Sequence, residues 1–561
     1  MKNNYFTQFC LAAKENLGYL LAFCTIVLGM VVSACALPFN IDSIYDEGYH
    51  YLYLQDAVNG KIDGSSQWAV LLSTILPKSI CTSVFSLRII AWCTPFLSVL
   101  FFFLITRKVA TTFTEKVIYL LLMLLLVFPS LRGIIICYNE ISQFLLSISC
   151  ATLFRLCYDT DKRFNRLWAL LTGILLTLAF FSIIPSAVIL AGCTVLLVII
   201  RYWKQWLDLG LYILWGFIGI VIALVFVQLF VADLSDIYAN MQITAKTITT
   251  VSRGYDLISF VIMICFFIRD FIFCAFIIIG AYIISGIIAR WSKLVGALFF
   301  IISILMYSHY QVKPLVTIGM LMALLWIMPM VDRICSDKKN AFKLFDFGTF
   351  FKLFLSCYPL LASIGTNLHI GEKMVHFLIP WSLLIMLIEY PKCGSLLRNS
   401  GLIVINLLLL YSFNARYQSI NYEKKQIKSG GFAGLYMTSA QEAHFSLVDS
   451  IVSQYDYKRN ESIVYATQMS MVTLSYIEGV PCGVFFMPTD FVAHAAEVDK
   501  KPDFLFMCSY DEEVAGDTMR NKGWGWPEEF DKYEIGTPET IDVGYPTERW
   551  LYCRKSTRKY Y

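Results

Sequence analysis

Charge is scarce in this chain. Of its 561 residues only 15% are charged, while 58% are hydrophobic; a soluble domain carries about 25% charged and about 45–50% apolar residues. Histidine is rarer still, with six in all. This balance excludes an ordinary soluble enzyme, and equally a disordered chain, a fibrous repeat or a disulfide scaffold. A formal net charge of +4 is too small to suggest nucleic acid.

What the chain has instead is long apolar runs. Runs near bilayer-crossing length, about 20 residues, fall near 17–38, 84–106, 116–131, 134–157, 167–183, 185–200, 210–232, 257–288, 294–309, 314–331, 348–364, 374–389 and 400–414. They predict a polytopic α-helical membrane protein of about 13 transmembrane helices. The run 257–288 carries Arg269 and Asp270 and leaves that count open by one. Residues 1–415 hold 20 acidic and 29 basic side chains, whereas 416–561 hold 21 and 16, so half of the acids sit in the last quarter of the chain. Residues 416–561 therefore read as a soluble domain behind a membrane part, 1–415. Ala34-Cys35-Ala36 has the form of a signal cleavage site, but the run before it is longer than a signal core.

With the N-terminus in the cytoplasm, 19 basic residues fall in inner loops or beside them and eight in outer loops. The positive-inside rule selects that orientation. An odd number of spans then places 39–83 and 416–561 outside the cytoplasm, in the periplasm if the source is a Gram-negative bacterium. A polar segment, 233–256, is expected to form a flap on that same side. Cys81, Cys482, Cys508 and Cys553 are the cysteines expected there; they permit a disulfide without defining a framework.

The C-terminal domain alternates helix and strand signals. Thr438-x-x-Gln441 and Ser439-x-x-Glu442 are capping boxes opening a helix to about Gln454. Strands are predicted at 462–466 and 484–487 and helices at 467–477 and 490–498, and 503–508 and 550–554 add short apolar runs. This alternation predicts a small α/β sheet. It carries no Gly-rich phosphate loop, metal-ligand spacing or nucleophile elbow. The tip Gly523-Trp524-Gly525-Trp526-Pro527 reads as a packed aromatic loop in preference to a sugar-stacking platform.

The informative stretch follows the first span: Asp42, Asp46 and Glu47, then Tyr49, His50, Tyr53 and Asp56. The spacing predicts a helix lying along the membrane surface with Asp46 and Glu47 in its first turn. Carboxylates there favour the helix dipole. Capping explains one acid at a helix start; two adjacent acids among Tyr45, Tyr49 and His50 point to a site.

The run Asp46-Glu47-Gly48-Tyr49, then Asp56-Ala57-Val58-Asn59-Gly60-Lys61, then Ser86-Leu87-Arg88-Ile89-Ile90, resembles the GT-C superfamily of integral-membrane glycosyltransferases. The pattern is most similar to protein O-mannosyltransferases and lipid A aminoarabinose transferases. Trp168–Gly173 and Lys373–Pro380 fit as well, and the resemblance covers most of 1–415. It implies a sugar donor linked to polyprenyl phosphate, used on the outer face with no metal or other cofactor required. It implies Asp46 as catalytic base, Glu47 as its helper and Glu140 as the alternative acid. Arg88 is expected to hold the donor phosphate, with Lys78, Lys373 and His376 as further candidates, and Tyr49 and His50 to contact acceptor or sugar. The chain departs from the family at Ser65-Ser66-Gln67-Trp68, Tyr138-Asn139-Glu140 and Ser182-Ile183-Ile184-Pro185, which leaves sugar and acceptor (glycan, lipid or protein) open.

Other clusters read as architecture. Asp159-Thr160-Asp161 matches a nucleotide-sugar motif but sits among Lys162, Arg163 and Arg166, as a solvated connector does. Arg269 and Asp270 read equally as parts of structural pairs or as interfacial. His309, Tyr310 and Lys313 read as interface anchors. The competing function is a lipid-linked oligosaccharide flippase or another transporter. Transporters place charge at the midplane and repeat their halves, whereas here the charge lies at the outer edge and no repeat is visible. The C-terminal domain is expected to select the acceptor, with the chemistry at the membrane surface.

Overall fold

A computed structural model of the chain describes residues 17–39, 46–59, 67–131, 135–239, 283–310, 347–364, 373–387, 425–428, 430–467, 470–483, 495–536 and 549–559, with scattered positions between. Its first part is helical. In chain order the helices used below are α1 (Leu17–Ala36), α2 (Asp46–Val58), α3 (Gln67–Ile75), α4 (Lys78–Cys81), α5 (Val84–Thr106), α6 (Phe113–Val127), α7 (Tyr138–Tyr158), α8 (Lys162–Phe180), α9 (Ile184–Tyr202), α10 (Trp206–Phe230), α11 (Lys293–Tyr310), α12 (Phe347–Ala362) and α13 (Ile379–Leu387).

Local chemistry sets their starts. Ser83 Oγ accepts from Ser86 N at 3.3 Å and opens α5. Thr112 and Glu115 form a reciprocal capping box on α6. Asp161 Oδ1 accepts from Arg163 N at 2.9 Å to cap α8, and Asp159 pairs with Arg155 at 2.5 Å. The Asp-x-Asp motif is thus spent on helix ends, the connector its surroundings indicated. Pro185 sits in the first turn of α9, where the missing N–H costs nothing, and divides the apolar stretch as expected. Between α8 and α10 the backbones touch: a Cβ at Gly173 would strike Gly216 O, and one at Gly219 would strike Leu170 O. Such close approach at small residues is how helices associate in lipid.

Among the described residues four helical stretches, 84–109, 138–158, 184–202 and 206–230, are long and apolar enough to cross a membrane. Shorter apolar helices accompany them at 20–36, 279–289, 294–306 and 347–362. This is an integral membrane protein, but the expected 13 spans are not reached within the described residues. The runs 314–331, most of 257–288 and most of 400–414 lie outside them, as do Asp270, Lys313 and most of the 233–256 flap. In the run 374–389 a short 3-10 turn, Val375–Phe377, precedes α13, with Pro380 in the first turn, where proline starts a helix instead of continuing one; residues 388 and 389 lie outside the described ones.

The C-terminal part is an α/β sheet of five strands in the order β4-β3-β5-β7-β6. These are β3 (Ile463–Tyr465), β4 (Val480–Pro481), β5 (Phe504–Cys508), β6 (Phe530–Glu534) and β7 (Arg549–Arg554); a small hairpin of β1 (Lys425–Gln426) and β2 (Tyr436–Met437) precedes them. β3 runs parallel to β4 and β5, and β7 antiparallel to β5 and β6. Alternation along β5 divides the core. Phe504 and Phe506 pack toward α14 (Ser439–Ser453) and α15 (Met471–Ile477), while Leu505 and Met507 pack toward α16 (Ser509–Asn521) and the tryptophan loop. Trp524 and Trp526 are both buried, so that loop belongs to the core and offers no sugar platform. The predicted strand 484–487 lies outside the described residues. Cys81, Cys482, Cys508 and Cys553 are all free thiols in the interior.

Candidate active site

The site begins where α1, α2 and α5 meet. Arg88, one turn into α5, donates from Nε to Glu47 Oε1 at 2.6 Å and from Nη2 to Glu47 Oε2 at 2.5 Å. Its Nη1 donates to the carbonyls of Leu37 and Phe39, both at 2.7 Å. Arg88 and Glu47 are each 0% exposed. A planar guanidinium matches a carboxylate in this two-pronged way, and removing both charges from water is tolerable only when they are so paired. Arg88, expected at the donor phosphate, and Glu47, expected as the helper of Asp46, here form a bolt that fixes the end of α1 and the start of α2 against α5.

α2 is packed into the protein: Glu47, Gly48, His50, Tyr51, Leu52, Tyr53, Leu54 and Asp56 are all buried. One flank is tied to α4 and its end, through Tyr51 Oη to Thr82 O at 3.1 Å and Gln55 Nε2 to Cys81 O at 2.6 Å. Another meets the C-terminal part. Asp46 opens α2; its side chain and that of Tyr49 lie outside the described residues.

His50 stands edge-on to Trp68 of α3 at 5.3 Å and to Tyr138 of α7 at 5.8 Å between ring centroids. The Tyr138 ring also carries the ammonium of Lys373, 4.5 Å from its centroid. Lys373 Nζ donates to Tyr138 Oη at 2.7 Å and to Asn139 Oδ1 at 2.8 Å, and the residue is 1% exposed. Two neutral oxygens and an aromatic face are thus among the partners of this buried cation, with His50 against the same ring. Three segments far apart in sequence, α2, the start of α7 and the Lys373 turn, converge here.

The other expected residues are placed differently. Glu140 Oε2 accepts from Cys137 N at 3.0 Å and from the Cys137 thiol at 3.2 Å. It closes the N-terminus of α7 in a capping role. His376 is buried in the turn after Lys373, edge-on to Phe377 at 6.4 Å. Lys78 is exposed at the start of α4. Tyr138 and Asn139, which seat Lys373, stood out in the sequence only as part of the departure at Tyr138-Asn139-Glu140.

No protein-family model and no curated protein matches the chain. Among solved structures, the chain is similar to ArnT from Cupriavidus metallidurans bound to undecaprenyl phosphate, at 11% identity and a TM-score of 0.48, covering 94% of this chain and 97% of that one. It is similar also to the apo oligosaccharyltransferase of Archaeoglobus fulgidus, at 12% identity and a TM-score of 0.43, covering 94% of this chain and 75% of that one.

Proposed function

We propose that this protein is a GT-C-type glycosyltransferase that moves a sugar from a polyprenyl-phosphate carrier to an acceptor on the outer face of the membrane. The observation that carries the reading is the buried Lys373 ammonium, seated on Tyr138 and Asn139 beside His50 of α2. A carrier whose tail stays in lipid presents its phosphate near headgroup depth, and a desolvated ammonium binds such an anion far more strongly than one in water.

Asp46 precedes His50 by one turn of α2 and is the base in this reading. The acceptor hydroxyl proton passes to its carboxylate as the acceptor oxygen bonds to the sugar's anomeric carbon. The bond from that carbon to the phosphate oxygen breaks, and its electron pair leaves with the phosphate. The carrier phosphate departs as an anion that needs no proton, so one base and one cation suffice. Lys373 stabilises the departing phosphate, His50 lines the sugar or acceptor, and the Glu47–Arg88 bolt keeps α2 in place. No metal or further cofactor enters. The orientation with the C-terminal part outside the cytoplasm belongs to this reading and rests on the loop charges.

The test is to incubate purified full-length protein with a panel of polyprenyl-phosphate sugars and candidate acceptors and to measure release of the carrier phosphate. Sugar transfer with stoichiometric release supports the reading. A flippase moves a labelled carrier between leaflets with the ester intact, and that result overturns it.

A further inference from the structure

Gly48 is where the two halves of the chain touch backbone to backbone. A Cβ built on Gly48 would lie 2.5 Å from Val472 N, 2.6 Å from Met471 C and 2.8 Å from Val472 Cα. No side chain fits there, so α15 of the C-terminal part sits directly on the first turn of α2. The residue before Gly48 is Glu47. That turn is therefore gripped from two sides, by Arg88 of α5 and by α15.

The grip extends beyond one residue. One turn along α2, Leu52 is part of the same apolar cluster as Met471, Leu474 and Ile477 of α15. The Tyr51 ring packs on Phe432 at 5.8 Å. Gly431 O accepts from Val84 N at 2.9 Å, satisfying a free N–H at the start of α5, one turn ahead of Arg88. Tyr436 N donates to Pro38 O at 2.8 Å, between the Leu37 and Phe39 carbonyls that Arg88 binds. Each segment bolted by Arg88 is thus also held by the C-terminal part. α15 is in turn fixed to its own sheet, with Thr473 bonded to His444 at 3.0 Å and Met471, Leu474 and Ile477 buried.

We infer that the C-terminal α/β part is a wall of the active site, and that α15, seated on Gly48, sets where α2 presents its acidic first turn. Gly48 is a positioning residue in this arrangement. The inference leans on the transfer reading for its kinetic readout but not for its structural one. A methyl group at position 48 must move the helices until its 2.5 Å contact reaches an ordinary 3.4–4 Å, a displacement of about 1 Å, which at a catalytic group costs on the order of 10²-fold in rate.

The experiment compares full-length wild type, Gly48→Ala and Gly192→Ala, the last at a position where a Cβ meets nothing within 4 Å. Hydrogen exchange of the α2 amides and steady-state release of carrier phosphate are measured on each. Gly48→Ala is expected to exchange faster across α2 and to lose on the order of 10²-fold in kcat, with donor KM within about threefold of wild type, while Gly192→Ala matches wild type. Unchanged α2 exchange and unchanged kcat in Gly48→Ala overturn the inference. If Gly48→Ala yields no folded protein, Leu52→Ala loosens the same seat by removing atoms and must show the same faster exchange and the same kcat loss, or the inference fails. A wild type that releases no phosphate from any donor removes the transfer reading, and the exchange comparison still decides the seating.

Discussion

Arg88 and Glu47, separated by 41 positions in sequence, meet as a two-pronged ion pair with both side chains sealed from solvent. Breaking one partner of such a pair strands the other charge, at a cost of about 3–5 kcal/mol. Glu47→Gln is therefore expected to lower the thermal midpoint of the purified protein sharply. Arg88→Met combined with Glu47→Gln should recover part of that loss, because the pair is removed together. If Arg88 instead bound donor phosphate, Arg88→Met would spare stability and abolish donor binding. Thermal unfolding of the single and double variants separates the two outcomes.

Lys373 is the cation assigned to the carrier phosphate. Lys373→Met keeps much of the side chain's bulk and removes its charge, so the fold is expected to survive. Donor affinity should fall at least about 30-fold, the loss expected when one side of a desolvated charge pair is truncated. Equilibrium binding of polyprenyl phosphate checks it; undiminished affinity assigns the phosphate elsewhere.

Separating the C-terminal part tests how deeply it is built into the site. The sequence suggested that the chemistry is confined to the membrane part, so that donor binding survives loss of the domain. The contacts at Gly48, Gly431 and Tyr436 lead to the opposite expectation. After cleavage at a protease site inserted near Tyr422 and removal of the fragment, donor binding and transfer should be lost together. Retained donor binding would restore the division of labour read from the sequence.

His444 gives the C-terminal part a defined response to acid. Its Nδ1–H donates to Ile535 O at 3.2 Å, and Nε2 accepts from Thr473 at 3.0 Å. Burial, with a smaller contribution from Arg549, pushes its pKa down from 6.5 to about 4. Because the folded pKa lies below the unfolded one, the neutral ring's contribution is intact above 6.5. It is lost as pH falls toward 4, where the unfolded chain has already bound the proton. His444→Gln should flatten the stability profile between those limits, as measured by unfolding from pH 7 to 4. A slope equal to that of wild type would exclude His444 as the source.

Much of the fold was legible locally. The Thr438 and Gln441 box opens α14 where predicted, and Pro185 divides α8 from α9. α16 and β6 were not read, because α16 buries only Asp511, Ala515, Gly516 and Met519 in an acidic stretch, and β6 is mostly polar, with Phe530 its one buried residue. The acidic turn of α2 was visible as a cluster. Its environment was not, because no periodicity encodes that Lys373 meets Tyr138 across 235 positions or that Glu47 is committed to Arg88. Gly48 looked like part of a family motif, whereas its reason in this fold is the backbone of Val472 lying against it.

The central claim is that α2 supplies the base for transfer from a polyprenyl-phosphate sugar. Its most direct test is release of carrier phosphate by wild type and by Asp46→Asn, on the donor that wild type uses, at equal amounts of folded protein. Asp46→Asn is nearly isosteric, so it should bind donor as wild type does and lose at least about 10²-fold in turnover. Near-normal turnover in Asp46→Asn would contradict the account.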